Sequence, residues 1–70
     1  MDAAIMTATT KGGKYQIHIV QTKGGFDVVH TTNGQAVGCA VLNDINAARA
    51  KLWKDVYYAL AIDNRRYFAV

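Results

Sequence analysis

His18, His30, Cys39 and five aspartates are the side chains of this chain best suited to hold a metal, attack an electrophile or move a proton near neutral pH. A metal needs three or four such groups to converge. Side-chain alternation along strands, worked out below, sends His18 and His30 to opposite faces, and there is no second cysteine. His18 reads as a surface residue of a polar face, and His30 as packed at a sheet end near Thr32 and Gln35. Cys39 is expected on the apolar face, where a free cysteine behaves as a small hydrophobe. A nucleophile instead needs an exposed, electropositive setting and a base beside it. His30 falls within diagonal reach of Cys39, so a Cys–His dyad is conceivable, but it would lie beneath a helix. Asp2, Asp27, Asp44, Asp55 and Asp63 are scattered and suggest no acid–base pair. Lys11-Gly12-Gly13-Lys14 lacks the longer glycine-rich run that feeds a helix in phosphate-binding loops, and it links two strands instead. The expectation is a chain that is not an enzyme, with no catalytic residue, no metal and no cofactor.

The cations carry a different chemistry. Lys11 and Lys14 bracket one turn, while Arg65 and Arg66 follow the helical region. Clustered cations interleaved with aromatic groups suit nucleic acid, and Tyr57, Tyr58 and Tyr67 could stack on bases. A nucleic-acid site would therefore use Lys11, Lys14, Arg65, Arg66 and Tyr67. The plainer reading is a solvated rim above core tyrosines. The net charge of +3 permits an acidic partner without demanding one.

The elements that position these groups are legible in the turns. Gly12-Gly13, Gly24-Gly25 and Asn33-Gly34 separate short segments rich in β-branched and aromatic residues. Such pairs supply the positive φ of tight hairpins, so the first half reads as a four-stranded antiparallel meander. Taking each pair as a two-residue turn puts Thr10 opposite Tyr15, Thr22 opposite Asp27, and Thr31 opposite Ala36. One face then collects Ala4, Met6, Ala8, Tyr15, Ile17, Ile19, Phe26, Val28, Val37, Cys39 and Val41. The other collects Thr7, Thr9, Gln16, His18, Thr22, Asp27, Thr31, Ala36, Gly38 and Ala40.

A helix should follow, capped by Asn43 or Asp44. Ile45, Ala48, Leu52, Val56 and Ala59 recur at spacings of three and four and form one apolar stripe. Lys51 and Asp55 can pair at i,i+4 on its flank. The stripe continues through Val56, Ala59 and Leu60, which favours a helix to about Ala61 with a short terminal strand after Asp63-Asn64. The other possibility is a helix ending near Asp55, with Val56–Ile62 and Arg66–Val70 as a final hairpin. The fold class expected is α+β: a single two-layer domain over residues 1–70, a four-stranded antiparallel meander with one helix packed across one face.

Seventy residues make a small core. The single cysteine excludes an internal disulfide and points to a reducing compartment. No apolar run approaches the ~20 residues of a membrane span, and Met1 to Thr10 shows no leader-like pattern. A cytoplasmic location in a host cell is the expectation, with no membrane partner.

In the deduced register Ile5 lies opposite Val20, Val20 opposite Val29, and Val29 opposite Gly38. An apolar row would thus cross an open face otherwise made of threonine, glutamine and histidine. Such a stripe rimmed by polar groups suggests contact with a partner protein or a second copy of the chain. A partner-binding site there would comprise Ile5, Thr7, His18, Val20, Val29 and Thr31, with Lys11 and Lys14 steering toward an acidic surface. Stacking two open faces would give a homodimer.

Lys14-Tyr15-Gln16-Ile17-His18-Ile19-Val20, then Asn33-Gly34-Gln35-Ala36-Val37-Gly38, then Leu52-Trp53 and Tyr57-Tyr58-Ala59-Leu60 form a strand–turn–strand–helix plan. From Lys14 to Leu60 it resembles the small phage-encoded anti-CRISPR proteins that inhibit type I systems. The resemblance implies a stoichiometric inhibitor that binds the CRISPR surveillance complex or its recruited nuclease, and it carries no catalytic signature. A looser likeness is to small antitoxin domains with a toxin RNase as partner. The leading expectation is therefore a small intracellular inhibitor or adaptor acting by protein binding, and the alternative is a nucleic-acid-binding module using the basic rim.

Overall fold

Asn33 (φ 53°) and Gly34 (φ 81°) form a two-residue turn, and both adopt the left-handed conformation that their types tolerate best. Around this and two earlier turns the computed structural model, which describes residues 4–69, folds as a meander. Strands β1 (Ala4–Thr10), β2 (Tyr15–Thr22), β3 (Gly25–Thr32) and β4 (Gln35–Leu42) are followed by helix α1 (Ile45–Asp63) and a short strand β5 (Tyr67–Ala69). All pairings are antiparallel, and β5 returns to pair with β1, giving the sheet order β4-β3-β2-β1-β5. The protein is thus an α+β fold with one helix across one face of a five-stranded sheet. Asp2 and Val70, considered in the sequence, lie outside the described residues.

The helix begins where its cap is strongest. Asp44 is extended, and its Oδ2 accepts a 3.0 Å hydrogen bond from the Ala47 N–H, satisfying an otherwise orphaned donor of the first turn. It ends at Asn64, left-handed at φ 53°, where the Arg65 N–H reaches back 3.1 Å to the Ala59 carbonyl. The helix-plus-strand form of the C-terminus is therefore the one adopted. Ala48, Leu52 and Ala59 are buried, and Ile45 and Val56 pack against the core. Leu60 departs from the expected stripe: it is 41% exposed, because its position lies round the helix from Leu52 and Ala59.

Beneath the helix lie Ala8, Ile17, Ile19 and Val28, all fully buried. Each large one contributes roughly 1.5–3 kcal/mol by leaving water. Met6, Phe26, Leu42 and Tyr67 close the margins of this core. The β1–β2 register, Met6↔Ile19 through Thr9↔Gln16, is the one the first glycine pair implied.

Three parts of the expected sheet need correction. The second turn is Lys23-Gly24, not Gly24-Gly25, so Thr22 faces Gly25 and Val20 faces Asp27. Gly25 belongs to the strand through its pairing with Thr22, and glycine is required there because a Cβ would collide with the Leu42 carbonyl and a φ of 143° suits no other residue well. A shift of two residues leaves faces unchanged but removes the Val20–Val29 contact. Next, a bulge interrupts β3–β4 between His30 and Thr31: Thr31 pairs with Ala36, but His30 with Gly38, Val29 with Cys39 and Val28 with Ala40. The extra residue reverses the remainder of β4. Gly38, Ala40 and Leu42 take the covered side, while Val37, Cys39 and Val41 are exposed on or beside the open one. Leu42 decides this: it packs against the core immediately before the helix, and small Gly38 and Ala40 precede it at alternate positions. Finally, a register shift between Ala4 and Met6 pairs Ala4 with Val20 on the open side, and leaves Ile5 50% exposed.

Candidate functional site

Asn64 also builds the site. Its left-handed turn ends the helix abruptly and sends the chain back along β1, where Tyr67 pairs with Thr10 and Phe68 with Thr9. Arg65 and Arg66 thereby come beside the β1–β2 connection, Lys11–Lys14. In that connection Gly12 and Gly13 have φ of 88° and 77°, and the Gly13 N–H bonds the Thr10 carbonyl at 2.9 Å. Segments about fifty residues apart in the chain so enclose an open cleft of about 480 Å³, lined by Thr10, Lys11, Lys14, Tyr15, Arg65, Arg66 and Phe68. Four of the eight lysines and arginines line it, and among the described residues no carboxylate does.

Tyr15 is the floor of this arrangement. The Arg65 guanidinium lies 3.7 Å from its ring centroid and the Lys14 ammonium 5.3 Å away, both within cation–π range. The neighbouring Tyr67 side chain does most to raise the Arg65 pKa, burial opposes it, and Asp63 and Tyr15 add smaller raising contributions; as an arginine it is a cation at neutral pH in any case. Asp63 stands 3.5 Å from it. Lys11, Lys14 and Arg66 are exposed. Such cations favour an anion without the desolvation cost that a buried charge carries.

The cleft gathers Lys11, Lys14, Arg65 and Arg66 as expected of a nucleic-acid site, but not Tyr67. That tyrosine alternates to the covered side and borders a second cleft of about 300 Å³ with His30, Lys51, Asp55, Tyr58, Ala59, Asp63 and Arg65. Phe68, 52% exposed, takes the open position instead. Tyr57 stands 75% exposed on the helix, away from both clefts. Phe68 escapes a reading by residue type: alternation puts it on the side opposite Tyr67, and only the pairing of β5 with β1 decides which of the two enters the cleft.

Among the residues expected to bind a partner, Thr7, His18, Val29 and Thr31 share the open face with Val20, but they do not form an apolar row. Val20 faces Asp27, and Val29 lies between His18 and Cys39. Thr7 and His18 belong instead to a polar chain. The Thr7 hydroxyl and His18 Nδ1 are 2.9 Å apart, His18 Nε2 lies 3.1 Å from Gln16 Oε1, and the Gln16 amide donates weakly to Thr9 Oγ1 at 3.5 Å. An acceptor at Oε1 makes Nε2 the protonated nitrogen. Partial burial lowers the His18 pKa, in keeping with a neutral ring. The buried Thr31 hydroxyl has no hydrogen-bond partner.

His30 is on the opposite face, as expected, but its partner is the helix. Its Nε2 lies 2.8 Å from Asp55 Oδ2, while Lys51 Nζ approaches Oδ1 at 2.7 Å. Burial alone would raise the Asp55 pKa, but the hydrogen bonds and charges of Lys51 and His30 outweigh it and hold the carboxyl below its ordinary value. Cys39 is exposed on the far side of the sheet from His30, which removes the conceivable dyad. Among the described residues no three His, Cys, Asp or Glu side chains gather as a metal site, and no helix is long and apolar enough to cross a membrane. Among known proteins no family model, no curated sequence and no solved structure matches this chain.

Proposed function

We propose that this protein is a small nucleic-acid-binding domain that holds phosphates in the cleft between the β1–β2 connection and the segment leading into β5. The observation that carries this reading is the meeting of Lys11, Lys14, Arg65 and Arg66 along one cleft, with Lys14 and Arg65 over the Tyr15 ring and no carboxylate among the described lining residues. Half of the chain's cations meet at one end of the sheet although they come from opposite ends of the sequence. Phosphate contacts of this kind supply affinity that is independent of base sequence and released by salt. Titrating a labelled oligonucleotide at several salt concentrations tests it. Three or four contacts should give a log–log slope of about −2 to −3 for a single strand, from about −0.7 per phosphate. Lys11→Gln with Lys14→Gln should flatten that slope by about 1 to 1.5. Absence of oligonucleotide binding at low salt would overturn the reading.

A second reading, the stoichiometric inhibitor or adaptor of the anti-CRISPR kind, has a separate support. Strand β4, Gln35–Leu42, is an edge of the sheet with no charged residue and no proline, and Val37 and Val41 are 66% and 64% exposed on it. Edges so little protected invite strand addition by another protein or a second copy. Capture from a bacterial host lysate, with and without nuclease, separates the two: a protein complex retained after nuclease favours the inhibitor, and loss on nuclease treatment favours the basic cleft.

A further inference from the structure

The cleft sits at the end of the sheet and is lined from both of its faces, with Thr10 and Tyr15 from the covered side and Phe68 from the open one, and the two faces offer a nucleic acid different things. Toward the helix, Tyr15 is already covered by Arg65 and Tyr67 is drawn into the second cleft. Toward the open side stands Phe68, and Arg66, two residues before it, lines the same cleft. Phe68 is 52% exposed on a three-residue edge strand and takes no part in the core cluster. What sets Phe68 apart from the other exposed apolar side chains is its place: it alone of them lines the cleft, beside three exposed cations, where a base could cover its ring. Across the sheet from Phe68 come Thr9, Gln16 and Thr31, neutral groups on the same face. Gln16 keeps one N–H and one lone pair beyond its bonds to Thr9 and His18.

Resting on the nucleic-acid reading above, we propose that the ligand is an unpaired strand, one base of which stacks on Phe68 while the flanking phosphates lie against Lys11, Lys14 and Arg66. A paired base has both faces covered by its neighbours and its edge turned into a groove, so it offers Phe68 nothing. A splayed base presents a π-face to the ring and an edge to Gln16.

The test is fluorescence anisotropy of the full chain with three labelled 12-mers: oligothymidine, the same backbone without bases, and a duplex. Wild type, Phe68→Leu, Phe68→Tyr and the Lys11→Gln/Lys14→Gln double variant are compared, with circular dichroism and melting to verify that each is folded. Oligothymidine should bind at least ten times more tightly than the abasic strand or the duplex. Phe68→Leu should weaken oligothymidine about 10- to 100-fold, the range of one stacked base. It should leave abasic binding and the salt slope unchanged, while Phe68→Tyr, which keeps the ring, stays within about threefold of wild type. The double lysine variant should weaken all three and flatten the slope. Equal binding of the three by wild type, with Phe68→Leu silent and the lysine variant weak, overturns the stacked strand and leaves the phosphate cleft standing. No binding of any 12-mer at low salt overturns both. Should Phe68→Leu fail to fold, a strand carrying 2-aminopurine is titrated with wild-type protein instead. Quenching of that base in the single strand but not in the duplex supports the stack, and unchanged fluorescence of the bound strand overturns it.

Discussion

The two faces of the sheet are built by different forces. The covered face is held by burial: Ile17, Ile19, Val28 and Leu52 are fully out of water and their fit decides whether the chain folds. On the open face order comes from hydrogen bonds, with Thr7, His18, Gln16 and Thr9 linked in a chain and Val41, Phe68 and Cys39 left in solvent. Stability should therefore be concentrated on one side of a single sheet. The side that contributes little to stability is the one free to bind.

That contrast is most sharply broken from the covered side. Leu52→Ala should cost about 2–5 kcal/mol through lost burial and a residual cavity. For a domain this small, whose whole stability is on the order of 4–10 kcal/mol, urea denaturation should find the variant partly or wholly unfolded. Gly25→Ala is expected next, at about 2–3 kcal/mol by the same measurement, since a methyl there meets the Leu42 backbone at an unfavourable φ. A neutral result would place Gly25 in the turn rather than in the strand.

Asp55→Asn tests the tie between helix and sheet and should cost about 1 kcal/mol, because its partners are partly exposed. Its sign with pH is definite. The folded pKa of Asp55 lies below 3.8, so its contribution is complete well above 3.8 and is lost as pH falls through the folded value. The variant should flatten the acid end of a melting-temperature profile. For His18 the window is higher. Burial holds its folded pKa below 6.5, so the unfolded chain binds the proton first, and stability declines as pH drops through 6.5 toward the folded value. His18→Gln should remove that decline, and an unchanged slope between pH 7 and 5 would assign it elsewhere. The smallest effect is on the open face. Thr31→Val deletes a buried hydroxyl with no partner and should be neutral or stabilising by up to about 1 kcal/mol. A loss of more than that would mean the hydroxyl bonds an ordered water.

Much of the covered face is readable in the sequence. Ala8, Ile17, Ile19 and Val28 alternate cleanly, and the Leu52 stripe repeats at helical spacing, so each segment carries its own period. Strand β4 is not readable, because Gln-Ala-Val-Gly-Cys-Ala-Val-Leu supports two alternations, Val37-Cys39-Val41 or Gly38-Ala40-Leu42. The site divides likewise. Its four cations are found by type and spacing, yet which of Tyr67 and Phe68 enters the cleft is not, since the phase of β5 is set only by pairing with β1.

What the sequence determined by itself is local: the Asn33-Gly34 turn, the register that the first glycine pair implies although its connection spans Lys11–Lys14, a helix start at Asn43 or Asp44, the stripe from Ile45 to Ala59 and the order of β1 to β4 and the helix. These follow from positive φ, capping hydrogen bonds and periodicity, which act within a few residues. Tertiary structure alone decided the bulge that turns Cys39 outward, the two-residue shift that separates Val20 from Val29, and the meeting of Lys11 and Lys14 with Arg65 and Arg66. Each is a choice between arrangements that are nearly equal locally. Leu42 and the helix fill the core in only one of them, and a strand only three residues long finds its pairing partner only at the end of β1.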